Sequence, residues 1–247
     1  MTTSNPTIKP AMKPIIKPIG DQAALICFGD EINPEINSSV MALQKAIEKR
    51  KISGVYQTVP SFTSLMVCYD PCATDFEQIK QQVEKCAETL KNSGAKSGNV
   101  IEIPVCYGNK YGEDLAYVAQ HAGLSEEEVI TIHSGRSYRI YMIGFLPGFP
   151  YLGGLDERIF TPRLESPRTK IPEGSVGIGG EQTGIYPMES PGGWQLIGRT
   201  PLKLYRPEAT APLYETGDEI RFVPISEEEF EEIYRKERAG FAGEVER

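Results

Sequence analysis

Residues 144–201 hold 12 of the chain's 24 glycines and 8 of its 19 prolines within 58 positions. Proline fixes φ and removes a backbone donor, and glycine weakens helices, so no long helix fits there. What remains is short strands between tight turns. Strand patterns occur at Ser175–Gly179, 194–198, 202–205 and 219–223, after an alternating run at 138–143. This pattern predicts a rolled or closed β-structure, a small barrel.

The first hundred residues have a different texture. Met1 to Ile19 repeats Lys-Pro three times, which reads as an extended, mobile arm. Residues 23–28 form a short apolar run. Asn33-Pro34 then supplies an N-cap and a first-turn proline for a helix burying Ile36, Val40, Leu43 and Ile47. Residues 55–59 and 64–69 read as a hairpin about Pro60-Ser61-Phe62-Thr63. A second helix buries Phe76, Ile79, Val83, Cys86 and Leu90 before Asn92-Ser93-Gly94. With residues 100–105 the order β-α-β-β-α-β matches a split ferredoxin-like domain, although that last strand fits the next domain equally well. Leu115, Val118 and Ala119 mark a short helix, and Ser125-Glu126-Glu127-Glu128 is a capping box for another. Ser226-Glu227-Glu228-Glu229 opens an acidic final helix, read as a docking appendage or frayed end. The expected division is an arm over 1–19, an α/β domain over 20–98, a barrel over 99–224 and an acidic helix or tail over 225–247.

The net charge is −8, distributed as +1 over residues 1–99, −5 over 100–223 and −4 over 224–247. Acidity of this kind argues against nucleic acid or an anionic membrane as partner. No run approaches the roughly twenty apolar residues of a membrane span, and the N-terminus lacks a secretory core, so a soluble cytoplasmic protein is expected. The five cysteines read as reduced thiols, and neither His121 nor His133 pairs with them at zinc-ligand spacing, so no metal site is expected.

Chemistry concentrates in the Gly/Pro-rich block. Phe149, Tyr151, Tyr186 and Trp194 offer flat faces beside glycines. Pro162-Arg163 and Pro167-Arg168 set guanidinium groups on rigid turns, suited to a carboxylate or phosphate. Gln182 and Thr183, beside Glu181, form a polar group able to orient an amide or lactam. His133, at a helix end, serves either as a cation on the helix dipole or as a general base. The expected catalytic set is His133, Gln182 and Thr183, and the expected binding set is Arg163, Arg168, Tyr151, Tyr186 and Trp194. Neither a phosphate-cradling loop nor a dinucleotide fingerprint is present in the sequence.

Four stretches resemble, in order and spacing, the bacterial family of 5-oxoprolinase B subunits. They are Gly144-Phe145-Leu146-Pro147-Gly148-Phe149-Pro150-Tyr151-Leu152-Gly153-Gly154, the two Pro-Arg turns, residues 177–187 and residues 190–198. The likeness continues through Ile103-Pro104-Val105-Cys106-Tyr107-Gly108. That family includes sporulation-kinase inhibitors and is similar to one half of the carboxyltransferase domain of urea carboxylase. The resemblance implies a ferredoxin-like domain followed by a cyclophilin-like β-barrel. It also implies a protein that acts with the A and C subunits of the same enzyme, using ATP, to open 5-oxo-L-proline to L-glutamate. An inhibitor binding a sporulation histidine kinase and a component of a biotin-dependent carboxyltransferase are the alternatives. A lactam is resonance-stabilised, so ATP consumption makes chemical sense for ring opening. Phe145 and Phe149 are expected at a contact with the C subunit, because so much apolar surface beside glycine turns needs covering.

Overall fold

The computed structural model describes residues 14–90, 98–207 and 212–245. The chain divides into two compact units, Met1–Lys96 and Ser97–Arg247. The expected Asn92-Ser93-Gly94 helix stop and the first two Lys-Pro pairs, apart from Pro14, lie outside the described residues.

The first unit contains β1 (Ile15–Ile19), β2 (Ala23–Cys27), α1 (Pro34–Arg50), β3 (Val55–Pro60), β4 (Ser64–Tyr69) and α2 (Phe76–Glu88). Asn33 caps α1 by accepting from the Glu35 amide at 2.7 Å, and Asp75 caps α2 from the Gln78 amide at 2.9 Å. The predicted stripe Ile36, Val40, Leu43 and Ile47 is buried against Ala24, Ile26, Leu65 and Val67 of the sheet. Strand order is β1-β2-β4-β3, antiparallel throughout.

Two expectations change here. The end of the supposed arm is a strand: residues 15–19 pair with β2, with Pro18 tolerated because β1 is an edge. The strand beside β2 is therefore β1, and residues 100–105 belong to the second unit. A hairpin closed through Gly20, at φ +59°, needs a far shorter loop than a return from beyond α2, so its closure entropy is smaller.

The second unit is built on a closed barrel in the order β10-β7-β6-β13-β5-β12-β9. Its strands are β5 (Val100–Tyr107), β6 (Ser137–Ile143), β7 (Pro150–Gly153), β9 (Ser175–Gly179), β10 (Gln182–Ile185), β12 (Gln195–Arg199) and β13 (Glu219–Pro224). A two-stranded sheet, β8 (Arg168–Ile171) with β11 (Ser190–Gly192), lies outside the closed set. Alternate residues point inward, so Ile103, Val105, Ile140, Leu152, Val176, Ile178, Ile197 and Phe222 fill the interior with α3 (Leu115–Ala122) and α4 (Glu126–Ser134). Ser125 caps α4 in the predicted capping box. The strand pattern at 202–205 forms no strand, while β7 and β10 arise where glycine and proline had suggested only turns.

The acidic helix is no frayed appendage. In α5 (Glu227–Val245) Phe230 packs on Tyr111 at 4.3 Å between ring centroids, in a small core with Cys106. Arg238 meets Glu173 at 2.7 Å and Glu237 meets Arg206 at 2.6 Å, tying the helix to the loops around the barrel. Desolvation in this seat pushes the Cys106 thiol up to about 11, which keeps it protonated.

Candidate functional site

The residues singled out by sequence separate into two groups on opposite sides of the barrel wall. On a strand, neighbouring side chains face opposite ways. Thr183 points into the core and is fully buried, whereas Gln182 and Gly184 share the outer side. The expected pairing of Gln182 with Thr183 around one ligand therefore does not occur.

Inside, Thr183 meets His133, which α4 delivers into the barrel with no exposed surface. The Thr183 hydroxyl donates to the Gly177 carbonyl at 3.0 Å, so it accepts from His133 Nε2 at 2.8 Å. His133 Nδ1 is then the acceptor, taking the Tyr107 hydroxyl proton at 2.8 Å. All three donors run in one direction and each is satisfied. The imidazole also stacks on Phe222 at 4.6 Å, and the Tyr138 hydroxyl holds the His133 carbonyl at 2.7 Å. Desolvation alone lowers the imidazole pKa to about 3, so it is neutral rather than a cation on the helix dipole. His133 and Thr183 form a sealed hydrogen-bonded chain within the core.

Outside, Phe149, Ile171, Tyr186, Trp194 and Leu196 form a second, smaller core, with Leu146 and Tyr151 at its margin. The glycines explain how it fits. A Cβ on Gly179 would lie 2.5 Å from Trp194 Cδ1 and Nε1, and one on Gly184 would lie 3.0 Å from Trp194 Cζ3. The indole rests on a floor of bare backbone and is only 5% exposed. Replacing Gly179 by Ala should lift the ring, costing roughly 1–3 kcal/mol in overpacking. Because Trp194 is the single tryptophan, a red-shifted emission maximum with a lower melting point is the expected reading. Unchanged emission would contradict the tight seat.

The two Pro-Arg turns behave differently. Arg168 is neutralised within the chain: its guanidinium reaches Asp114 at 2.7 Å and Glu113 at 2.9 Å, and the Trp194 carbonyl at 3.4 Å. Asp114 also accepts from the Leu196 amide at 2.6 Å, so this pair fastens β8 to β12 and is not available for an external anion. Arg163 is exposed, and its guanidinium carbon lies 5.7 Å from the Trp194 ring centroid. It has no acidic partner among the described residues. Burial raises the Tyr151 and Tyr186 hydroxyls; the Arg163 charge partly counters this at Tyr151, and a hydrogen bond with the Trp194 backbone, then the Arg163 charge, counter it at Tyr186. Asp114 carried no sequence signal, since a carboxylate before an apolar helix reads as an ordinary helix start.

The two expected contact aromatics also part company. Phe149 is 2% exposed, at the centre of Phe145, Tyr151, Tyr186 and Trp194, so it is a core residue of the lone chain rather than a free anchor. Phe145 is 63% exposed at φ +67°, the centre of a three-residue turn closed by the Leu146 amide on the Gly144 carbonyl at 2.8 Å. A cleft of about 400 Å³ lies elsewhere, lined by Ile143, Leu204, Tyr205, Leu213 and Tyr214. It flanks residues outside the described set and shares none of the expected site residues.

Residues 14–214 match the family described as "Carboxyltransferase domain, subdomain C and D". A Bacillus subtilis protein named as the B subunit of 5-oxoprolinase is 46% identical over 230 residues, covering 89% of this chain and 95% of that one. Its Escherichia coli O157:H7 counterpart of the same name is 56% identical over 218 residues, covering 85% and 95%. The solved K. lactis urea amidolyase superposes with a TM-score of 0.79 at 20% identity over 94% of this chain and 16% of its own, a likeness of fold alone. With a family match across most of its length and such identity over nearly whole relatives, the chain belongs to the family of 5-oxoprolinase B subunits within the carboxyltransferase C and D group.

Proposed function

We propose that this chain is the B subunit of an ATP-dependent 5-oxoprolinase that, with the A and C subunits, opens 5-oxo-L-proline to L-glutamate. The observation that carries this reading is the 46% and 56% identity to proteins of that name across 95% of their lengths. The structure adds an outward-facing margin where Tyr151 and Arg163 lie beside the buried Trp194. A flat lactam bearing one carboxylate is complementary to such a surface. This face encloses little volume, and small ligands are ordinarily buried over most of their surface. A second protein folding over Phe145 and Arg163 completes the pocket in this reading.

The described residues of this cluster do not fit a nucleoside triphosphate. Arg168 is already balanced by Asp114 and Glu113, which leaves one guanidinium against several phosphate charges. No step through ATP is assigned to this chain. The reading is tested by co-expressing the chain with its cognate A and C subunits and measuring glutamate formed from 5-oxo-L-proline. ATP-dependent glutamate is expected. An assembled three-component complex that forms none would overturn it.

A further inference from the structure

We propose that Arg163 forms a subsite for the carboxylate of a small cyclic monoacid at the margin of the aromatic cluster, the carboxylate lying on the guanidinium beside Tyr151 and the edge of the buried Trp194. This rests on the functional reading above and deepens it by separating the anion-binding residue from its neighbours.

Charge selects Arg163. Arg168, the equivalent residue of the neighbouring turn, spends its donors on Asp114, Glu113 and the Trp194 carbonyl. Arg163 keeps its fork of donors free of any acidic partner among the described residues. A single guanidinium matches a single carboxylate in charge and in its paired geometry.

Preorganisation favours the same residue. Pro162 fixes the backbone ahead of Arg163. The Pro162 carbonyl accepts from Gln195 Nε2 at 2.9 Å, the Leu164 amide donates to the Gly193 carbonyl at 2.7 Å, and Thr161 bridges Gly180. The segment carrying Arg163 is thus tethered on both sides to the residues that seat Trp194. Arg163 is held over a ring that cannot sink further, because β9 and β10 backbone lies beneath it. The backbone that carries Arg163 therefore needs little further ordering on binding.

The single tryptophan makes the test direct. Trp194 fluorescence of the full chain is followed while 5-oxo-L-proline, 2-pyrrolidone (the same lactam without its carboxylate), acetate and inorganic phosphate are added separately. A saturable change is expected for 5-oxo-L-proline, half-complete in the millimolar range. Acetate and 2-pyrrolidone should each need at least about tenfold more, and phosphate should not compete. Arg163→Gln should weaken the response at least about tenfold, with Arg163→Lys intermediate and both melting as the wild type does. An absent response in the wild type, an equal response to 2-pyrrolidone, tighter binding of phosphate, or an unaltered Arg163→Gln curve would each overturn the subsite. Glutamate release by the assembled complex is scored separately, so the subsite can fail while the 5-oxoprolinase reading stands.

Discussion

Replacing Phe149 by alanine is expected to lower the stability of the barrel unit by about 3–5 kcal/mol. The ring touches Tyr151 and Tyr186 at 4.9 and 5.3 Å between centroids, and Trp194 at 5.6 Å. None of these can collapse into the vacated space. Tyr186 is hydrogen-bonded with the Trp194 backbone, and Trp194 is seated on glycines. The cavity therefore persists and its cost adds to the lost burial. For a unit of this size, each kcal/mol moves the melting temperature by roughly 2–4 °C, so a fall near 10 °C should appear by calorimetry. Phe145→Ala is the control: at 63% exposure it should barely move the melting point. A Phe149→Ala chain that melts within a degree or two of the wild type would show that the ring contributes little to this core.

The second large effect is one of pH. His133 is neutral in the folded chain down to about 3, whereas the unfolded side chain titrates near 6.5. Above pH 6.5 both states are uncharged at this residue, and it contributes no pH dependence. As pH falls below 6.5 the unfolded state gains a proton that the folded state refuses, and stability declines by about 1.4 kcal/mol per pH unit. The loss continues until the folded imidazole itself protonates near pH 3. In His133→Gln that proton uptake is absent. The variant should start less stable at pH 7.5, having lost the stack on Phe222, and close the gap on the wild type by roughly 3 kcal/mol at pH 4.5. Denaturant midpoints across that range measure it. Parallel curves for the two proteins would contradict a buried, neutral His133.

What could be read from the sequence follows the range of the forces involved. The α1 stripe and the Asn33 and Ser125 caps depend on residues a few positions apart, and they stand where periodicity puts them. The barrel's existence was legible because glycine and proline exclude the alternatives over 58 residues. β6, β9, β12 and β13 also stand where the strand patterns put them. β7 and β10 were not legible: each pairs with the strand before it and with the other across the barrel, and their Gly/Pro-rich sequence reads as turn, just as Gly177, Gly179 and Gly184 look like turn residues until Trp194 is seen lying on them. Distance along the chain separates the site residues. Arg163 and Arg168 have nearly identical local sequence, and Asp114, 54 positions before Arg168, together with its neighbour Glu113, distinguishes the paired guanidinium from the available one. Gln182 and Thr183 adjoin in sequence and part by strand alternation, and His133 reaches Thr183 only through closure of the barrel.

In the proposed reading the outward ring-and-cation face of the barrel, and not its sealed interior, serves the reaction of a 5-oxoprolinase assembly. Steady-state kinetics of the complete complex carrying Arg163→Gln test this most directly, because the substitution is on the surface of the chain and should leave its folding intact. The expected result is an assembled complex whose kcat/KM for 5-oxo-L-proline falls about 100-fold, near 2.7 kcal/mol of lost transition-state binding. An assembled complex retaining wild-type kcat/KM would contradict it.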